Sequence, residues 1–324
     1  MFRYLVKRLL ILIPVIICIS IVLFGIAKAM PGDPVRAMLP TSMRPEQRLV
    51  AEAAMREKLG LDKSLPEQYV RWMYNMIIEG DLGWSTVASR PVTDAVATPL
   101  FNTIILNLFV NFFYLAIAIP VGIRMAVKRG SIFDNGIQVA SIATYSIPSF
   151  FLALTLIFVF AINLPWFPAG GMPNSFMLDP VDNLIAWARH LVLPVVTLTL
   201  ISLAGSIRYV RNAMIDALSQ DYIRTARSKG LGEKVVIYSH ALRNAMIPIS
   251  TIIVFTLFGL FAGSAITESV FAYNGIGRLL FRALTARDTA LIISMDAIFA
   301  LMSVVAVLVA DILYGLVDPR IKLE

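Results

Sequence analysis

Long apolar runs separated by shorter charged segments organise this chain of 324 residues. Leu9–Ala27, Thr98–Ile123, Ile137–Ile162, His190–Ile207 and Ala245–Ile266 contain no Asp, Glu, Lys or Arg, and Leu291–Val317 contains only Asp296 and Asp311. A hydrocarbon core of ~30 Å takes about 20 helical residues to cross. Each run is continuous rather than alternating, which excludes a closed β-barrel. The pattern predicts an all-α integral membrane protein of about six transmembrane helices. It divides into an N-terminal signal-anchor helix (1–30), an external helical segment (31–97) and a five-helix core (98–324) with a polar loop at 208–244.

The first run carries a basic start (Arg3, Lys7, Arg8), and Ala27-Lys28-Ala29 looks like a signal-peptidase site. A cleaved signal has an apolar core of about 7–15 residues. Leu9–Ala27 is longer, so the expectation is an uncleaved anchor.

Charge then orients the chain. With a cytoplasmic N-terminus, six spans put both termini in the cytoplasm. The cytoplasmic segments then hold 15 Lys and Arg, seven of them between Arg208 and Arg243, and the two short external loops hold four (Arg189, Arg278, Arg282, Arg287). This is a positive-inside distribution. The net charge of +7 therefore reads as orientation; no basic face in an aqueous domain suggests nucleic acid. Only 15% of residues are charged and 58% are hydrophobic, against roughly 25% charged in soluble domains.

The external segment has its own helical pattern. Arg44–Leu59 is rich in helix formers and stops at Gly60, a C-cap residue. In Leu65–Ile78, Tyr69, Trp72, Met73 and Met76 recur at helical spacing and make one apolar face. That face suits packing on the membrane domain or its headgroups, or docking of an external partner.

Breakers and polar side chains interrupt the spans. Pro99 and Pro120 bracket the second, Pro148 interrupts the third and Pro194 opens the fourth; each frees backbone carbonyls that need partners inside protein. Asn102, Thr103, Asn107 and Asn111, Ser146 and Ser149, and Thr197 and Thr199 suit either interhelical hydrogen bonding or a path for a polar substrate. Asp296, or Glu268 just beyond the fifth span, is a candidate contact for a cationic substrate group. An ion pair with Arg278, Arg282 or Arg287 is the alternative. The path candidates are therefore Asn107, Asn111, Ser146, Ser149, Glu268 and Asp296.

Catalysis finds little support. Asp296 and Asp311 lie roughly 22 Å apart along a helix and cannot share a proton. No Ser–His pair is evident, no GxxxxGK[ST] loop is present, and His190 and His240 have no metal-ligand spacing. Cys18, inside the first span, reads as a small buried apolar residue.

The polar stretch Asp221–Pro248, DYIRTARSKGLGEKVVIYSHALRNAMIP, lies between two charge-free runs. Asp221 or Ser219 suits a cap for a helix over Tyr222–Lys229, and Gly230 suits the left-handed turn that ends it. A second helix from Glu233 leads back into the membrane. A short helix hinged to two spans can receive a push from a cytoplasmic partner; a solvated loop that only marks the cytoplasmic side is the plainer reading.

Ala226–Gly230 followed by Ala245–Pro248 resembles the cytoplasmic EAA loop of binding-protein-dependent ABC importer permeases, in the oligopeptide/dipeptide (peptide/nickel) variant. The resemblance extends along nearly the whole chain: PGDPV at Pro31–Val35, Gly60–Ser85, AVKRGSIFD at Ala126–Asp134, YSIPSF at Tyr145–Phe150, HALRNAMIP at His240–Pro248, NGIGRL at Asn274–Leu279 and DPRIK at Asp318–Lys322. The glutamate of the EAA loop is missing, with Thr225-Ala226 in that region, and Asn274 and Thr289 stand where the family commonly has proline and an aromatic residue.

The resemblance implies a type I ABC importer-like fold with a cytoplasmic coupling helix, in a non-catalytic permease subunit. Tyr222, Thr225, Ala226, Arg227, Lys229 and Gly230 would contact the ATPase. It implies as partners a second homologous permease subunit, two cytoplasmic ATPases that use ATP and Mg, an external substrate-binding protein and membrane lipid. This chain itself would bind no cofactor. The substrate implied is a peptide; the same type of permease for a nickel chelate, glutathione or another small solute is the alternative, and a stand-alone carrier or channel is the alternative of a different class.

Overall fold

The computed structural model describes residues 2–29, 35, 39, 43–173 and 179–317. The readings that rest on residues 31–34, on Asp318–Lys322 and on the side chains of Arg3, Lys7, Arg8 and Asp311 lie outside the described residues. In chain order the helices are α1 (Phe2–Ala29), α2 (Pro45–Leu59), α3 (Leu65–Tyr74), α4 (Val92–Val127), α5 (Ile132–Ser146), α6 (Ser149–Asn163), α7 (Pro180–Leu218), α8 (Asp221–Ser228), α9 (Glu233–Phe261), α10 (Ala265–Val270), α11 (Ile276–Ala286) and α12 (Thr289–Val317). A π turn, Asn75–Glu79, follows α3. Trp84–Ser85 (β1) pairs antiparallel with Arg90–Pro91 (β2). Contacts divide the chain into two units, Met1–Phe101 with Leu279–Val304, and Asn102–Arg278 with Val305–Glu324.

In the first unit, α2 ends at Gly60, whose φ of 69° a residue with a side chain adopts only at a cost. The Glu67 carboxylate then accepts from the Ser64 N–H and hydroxyl at 3.0 and 2.9 Å and fixes the start of α3. The apolar face of α3 packs on α1: the Tyr69 and Ser20 hydroxyls lie 2.7 Å apart. The Phe24 ring sits 5.6 Å from Tyr69 and 6.0 Å from Trp72. After the β1–β2 hairpin, buried Asp288 takes hydrogen bonds from the Ser85 hydroxyl (2.6 Å), the Val87 N–H (3.0 Å) and the Leu291 N–H (3.2 Å). The Ser294 hydroxyl donates to the Leu82 carbonyl at 2.8 Å.

The second unit is built around α7, against which α5, α6 and α9 pack. One core joins Leu106, Val110, Tyr114 and Ala118 of α4 to Ala153 of α6, to Leu191, Leu193, Val195 and Ile207 of α7, and to Phe271 and Tyr273. A second core joins Ile123 and Ala126 of α4, Val210, Met214 and Ala217 of α7, Ile223 and Ala226 of α8, and Val236, Ala241, Ala245 and Ile249 of α9. Gly122 makes the close approach of α4 to α7, since a Cβ there would come 2.7 Å from Val210 Cγ1.

Four helices, α4, α7, α9 and α12, are long and apolar enough to cross a membrane among the described residues. The bent pair α5–α6 makes a fifth if its halves form one span, and Leu10–Ile26 of α1 is a shorter apolar stretch. The fold is all-α, as the runs predict, but the breakers act differently. Pro99 and Pro120 lie within α4, and Pro194 is buried inside α7 instead of opening it. In lipid the backbone has no water to turn to, so the helix persists through such a residue. The start of α7 is instead Pro180, whose missing N–H costs nothing at a first position. Pro148 does more than kink the third run: α5 and α6 meet at 97°. Ile147 before it is extended, at φ −81° and ψ 124°, because the proline ring disfavours the helical conformation there. Cys18 is exposed on α1, not buried, since α1 is covered only along the side that carries Ser20.

Candidate functional site

The Asp221–Phe261 segment is a helical hairpin with the short α8 as its outer arm. Gln220 is the N-cap of α8 in extended conformation, with Asp221 as the first helical residue, so neither Asp221 nor Ser219 caps it. Gly230 closes α8 at φ 75°, donating its N–H to the Arg227 carbonyl at 2.9 Å. The chain re-enters helix at Glu233, where the Arg227 guanidinium reaches across the turn to the Glu233 carboxylate at 2.8 and 3.2 Å.

The eight residues of α8 sort cleanly by exposure. Ile223 and Ala226, one turn apart, are buried in the second core, and every other residue from Asp221 to Gly230 is exposed. Of the candidate coupling residues, the structure therefore turns Tyr222, Thr225, Arg227, Lys229 and Gly230 outward together, while Ala226 faces the core beneath them. Exposed Leu231, Val235 and Tyr238 extend the apolar part of this surface, and Arg224, Lys234 and Arg243 extend its positive charge. Burial pushes the Tyr222 hydroxyl up from its ordinary value, and the carboxylate partner pushes the Arg227 guanidinium up.

An ion pair between α5 and α7 was missed in the sequence. The Arg211 guanidinium of α7 holds the Asp134 carboxylate of α5 in a two-point fork, at 2.6 and 2.7 Å. The Asp134 side chain has no solvent exposure; its carboxylate also accepts from the Gly130 N–H at 2.9 Å, and its N–H donates to the Ser131 hydroxyl at 3.2 Å. The Ser131–Asp134 spacing was the available signal, because it is that of a helix N-terminus. The AVKRGSIFD stretch is thus a turn clamped to α7.

The path candidates fall on different elements. Asn107 donates to the carbonyls of Gly259, Leu260 and Ala262 at 3.3, 3.0 and 2.9 Å, which finish the end of α9. Asn111 donates to the Thr256 carbonyl at 3.2 Å. Both amides are thereby interhelical ties between α4 and α9. Ser146 turns back to the Ile142 carbonyl at 2.9 Å, and Ser149 starts α6 beyond the bend, where Tyr145, Ile147, Phe150 and Phe151 are exposed. Asp296 is half-buried on α12.

Glu268 is enclosed. Its carboxylate accepts from the Thr103 hydroxyl (3.1 Å), the Ser264 N–H (3.3 Å) and the Arg278 N–H (2.9 Å), and also from the Gly277 N–H. Burial pushes this carboxyl up from its ordinary value, and the four donors pull the other way. Among the described residues no cation is paired with it: Arg278 sends its guanidinium to the Ala272 carbonyl instead, at 2.7 Å. The Thr103 hydroxyl accepts from the Ile276 N–H at 2.8 Å, Asn102 donates to the Asn274 carbonyl at 2.8 Å, and the Tyr273 hydroxyl donates to the Asn102 carbonyl at 2.7 Å. The NGIGRL stretch, the first turn of α11 included, is therefore wrapped on a carboxylate. Its glycines are spatial requirements: a Cβ on Gly275 would lie 2.4 Å from Glu268 Oε2, and one on Gly277 would lie 2.7 Å from the Ala265 nitrogen.

Residues 118–323 match the family model described as "Binding-protein-dependent transport system inner membrane component", and residues 1–116 match the model of the corresponding N-terminal region. The oligopeptide transport system permease protein AppB of Bacillus subtilis is 39% identical over 99% of this chain and 100% of its own length. The di/tripeptide transport system permease protein DppB of Pseudomonas aeruginosa is 36% identical, with 99% of each chain covered. The dipeptide transport system permease protein DppB of Escherichia coli is 35% identical, also over 99% of each.

Proposed function

The chain belongs to the family of binding-protein-dependent transport system inner membrane components, and from that premise we propose that it forms half of a peptide translocation pathway driven through α8 by a separate ATPase. It is a multi-pass inner-membrane protein and the permease subunit of an ABC importer. The peptide substrate is carried over from the named systems of relatives that align end to end with this chain.

The observation that carries the mechanism is the two-sided character of α8. Its inner side, Ile223 and Ala226, is set in a core shared with α4, α7 and α9. Its outer side presents Tyr222, Thr225, Arg227 and Lys229. A partner that presses on the outer side moves the cytoplasmic ends of three membrane helices together, because packed interiors transmit displacement with little compression. Two cytoplasmic ATPase subunits, closed with ATP and Mg and open without, would make different contacts with this surface and so bias the pathway between two accessible states. A second homologous permease would complete the pathway and an external binding protein would deliver the substrate.

The test is reconstitution of the whole complex in vesicles, with ATP hydrolysis measured against a panel of peptides, nickel chelates and glutathione. Stimulation by peptides supports the reading. Stimulation by another solute with silence from every peptide overturns the substrate, and transport by vesicles holding this chain alone overturns the coupled mechanism.

A further inference from the structure

We propose that α3 and the π turn after it form a membrane-interfacial helix whose outward face rests in the lipid of the leaflet around the C-terminal end of α1. A helix lying on a protein in water keeps one apolar stripe and turns a polar face outward. This helix is apolar on both sides. Tyr69, Trp72, Met73 and Met76 lie on the inner side. The outer side carries Val70, Tyr74, Ile77 and Ile78, at 65%, 54%, 63% and 66% exposure. The spacing 70, 74, 77, 78 is a single helical stripe, and no described residue covers it.

The level of the helix identifies what covers the stripe. Tyr69 meets Ser20, Phe24 lies against both Tyr69 and Trp72, and the Lys28 ammonium donates to the Gln68 amide oxygen. Ser20 is about 12 Å along the axis from Lys28, inside the apolar stretch Leu10–Ile26 of α1. The axis of α3 is thus level with Phe24, below the charged end of α1 and within the ~5–10 Å boundary zone where amphipathic helices settle. The exposed side of α1 at the same level is itself apolar, with Val22 and Ile26 facing outward, so the stripe continues an apolar surface. Among the charges, Glu67 is held at the start of the helix by Ser64, exposed Arg71 has a side chain long enough to carry its guanidinium out of an apolar layer, Glu79 ends the π turn and Asp81 follows it. Tyr74 and Trp72 are the residue types that favour such a boundary.

The test uses the assembled complex in phospholipid vesicles. In a Cys18→Ala background, nitroxide labels are attached at Val70→Cys and Ile77→Cys, with Asp62→Cys as the aqueous control. These sites are exposed, so assembly is expected to match the unlabelled complex. Collision with dissolved oxygen, which concentrates in lipid, is compared with collision with a water-soluble nickel complex. The expected result is a severalfold higher oxygen-to-nickel ratio at Val70 and Ile77 than at Asp62, unchanged when the external binding protein is added. A ratio equal to that of Asp62 overturns the proposal by placing the stripe in water. Loss of both collisions only on adding the binding protein overturns it in favour of a protein-docking face.

Discussion

Ile223 is the residue through which α8 is attached, and shortening it should loosen that attachment by a graded amount. The side chain has no solvent exposure. Ile223→Val should cost about 0.5–1.5 kcal/mol and Ile223→Ala about 2–5 kcal/mol, the larger value including the cavity left behind. The cost falls locally. α8 has only eight residues, and a helix shorter than about 12–15 residues is marginal without tertiary support. At about 1.4 kcal/mol per factor of ten, opening of α8 should rise roughly two- to twelvefold for Val and roughly thirtyfold to a few thousandfold for Ala. Native-state hydrogen exchange of residues 221–230 in the purified complex reads the opening directly, and substrate uptake per ATP hydrolysed reads its consequence. Exchange should accelerate in the order wild type, Val, Ala, and uptake per ATP should fall in the same order. Unchanged exchange in Ile223→Ala would refute the attachment; accelerated exchange with unchanged uptake per ATP would refute its role in coupling.

Three further outcomes follow from named contacts. Gly263→Ala should be the most damaging of three glycine changes, because its Cβ meets backbone at 2.2 Å. Gly275→Ala, which meets the pinned Glu268 and Thr103 side chains, should cost about 1–3 kcal/mol, and Gly259→Ala, with nothing within 4 Å, should be neutral; thermal melting of the purified chain ranks them. Asp134→Asn should destabilise by about 3–5 kcal/mol by leaving the Arg211 guanidinium without its carboxylate in a site where it is 14% exposed. The double change Asp134→Leu with Arg211→Met should recover much of the loss in the same melting assay. Arg227→Ala breaks only a pair whose members are 47% and 61% exposed, so melting should shift by no more than about 1 kcal/mol, while ATPase association, followed by co-purification, should weaken.

The features legible in the sequence were local ones. Gly60 and Gly230 mark left-handed helix ends because few other residues adopt that conformation, and Glu233 marks a restart after a glycine-rich turn. Continuous apolar runs marked α4, α7, α9 and α12, because twenty residues without charge have few other uses. What depended on distant partners was not legible. Glu268 reads as a carboxylate just beyond a span that could meet a cationic substrate group; only the folding of Thr103 and of 274–278 around it makes it a loop anchor. Asn107 and Asn111 share a helix side as their spacing predicts, but that side meets the carbonyls at the end of α9. Proline reads as a breaker, yet Pro194 lies inside α7, and of Pro99, Pro120, Pro148 and Pro194 only Pro148 breaks a helix. Ile223 was the missed key of the coupling surface, although its three-residue spacing to Ala226 in an otherwise polar helix was visible.

Cross-linking tests most directly whether the ATPase acts on the outer side of α8. In a Cys18→Ala background, single cysteines at Thr225, Lys229 and, as a remote control, Asp62 are exposed to a short bifunctional cross-linker in the reconstituted complex with and without ATP. Nucleotide-dependent cross-links are expected from Thr225→Cys and Lys229→Cys to the ATPase subunit, none from Asp62→Cys, with loss of substrate-stimulated ATP hydrolysis once either is formed. Absence of any cross-link from α8 in a complex that still couples hydrolysis to uptake would contradict an action of the ATPase there.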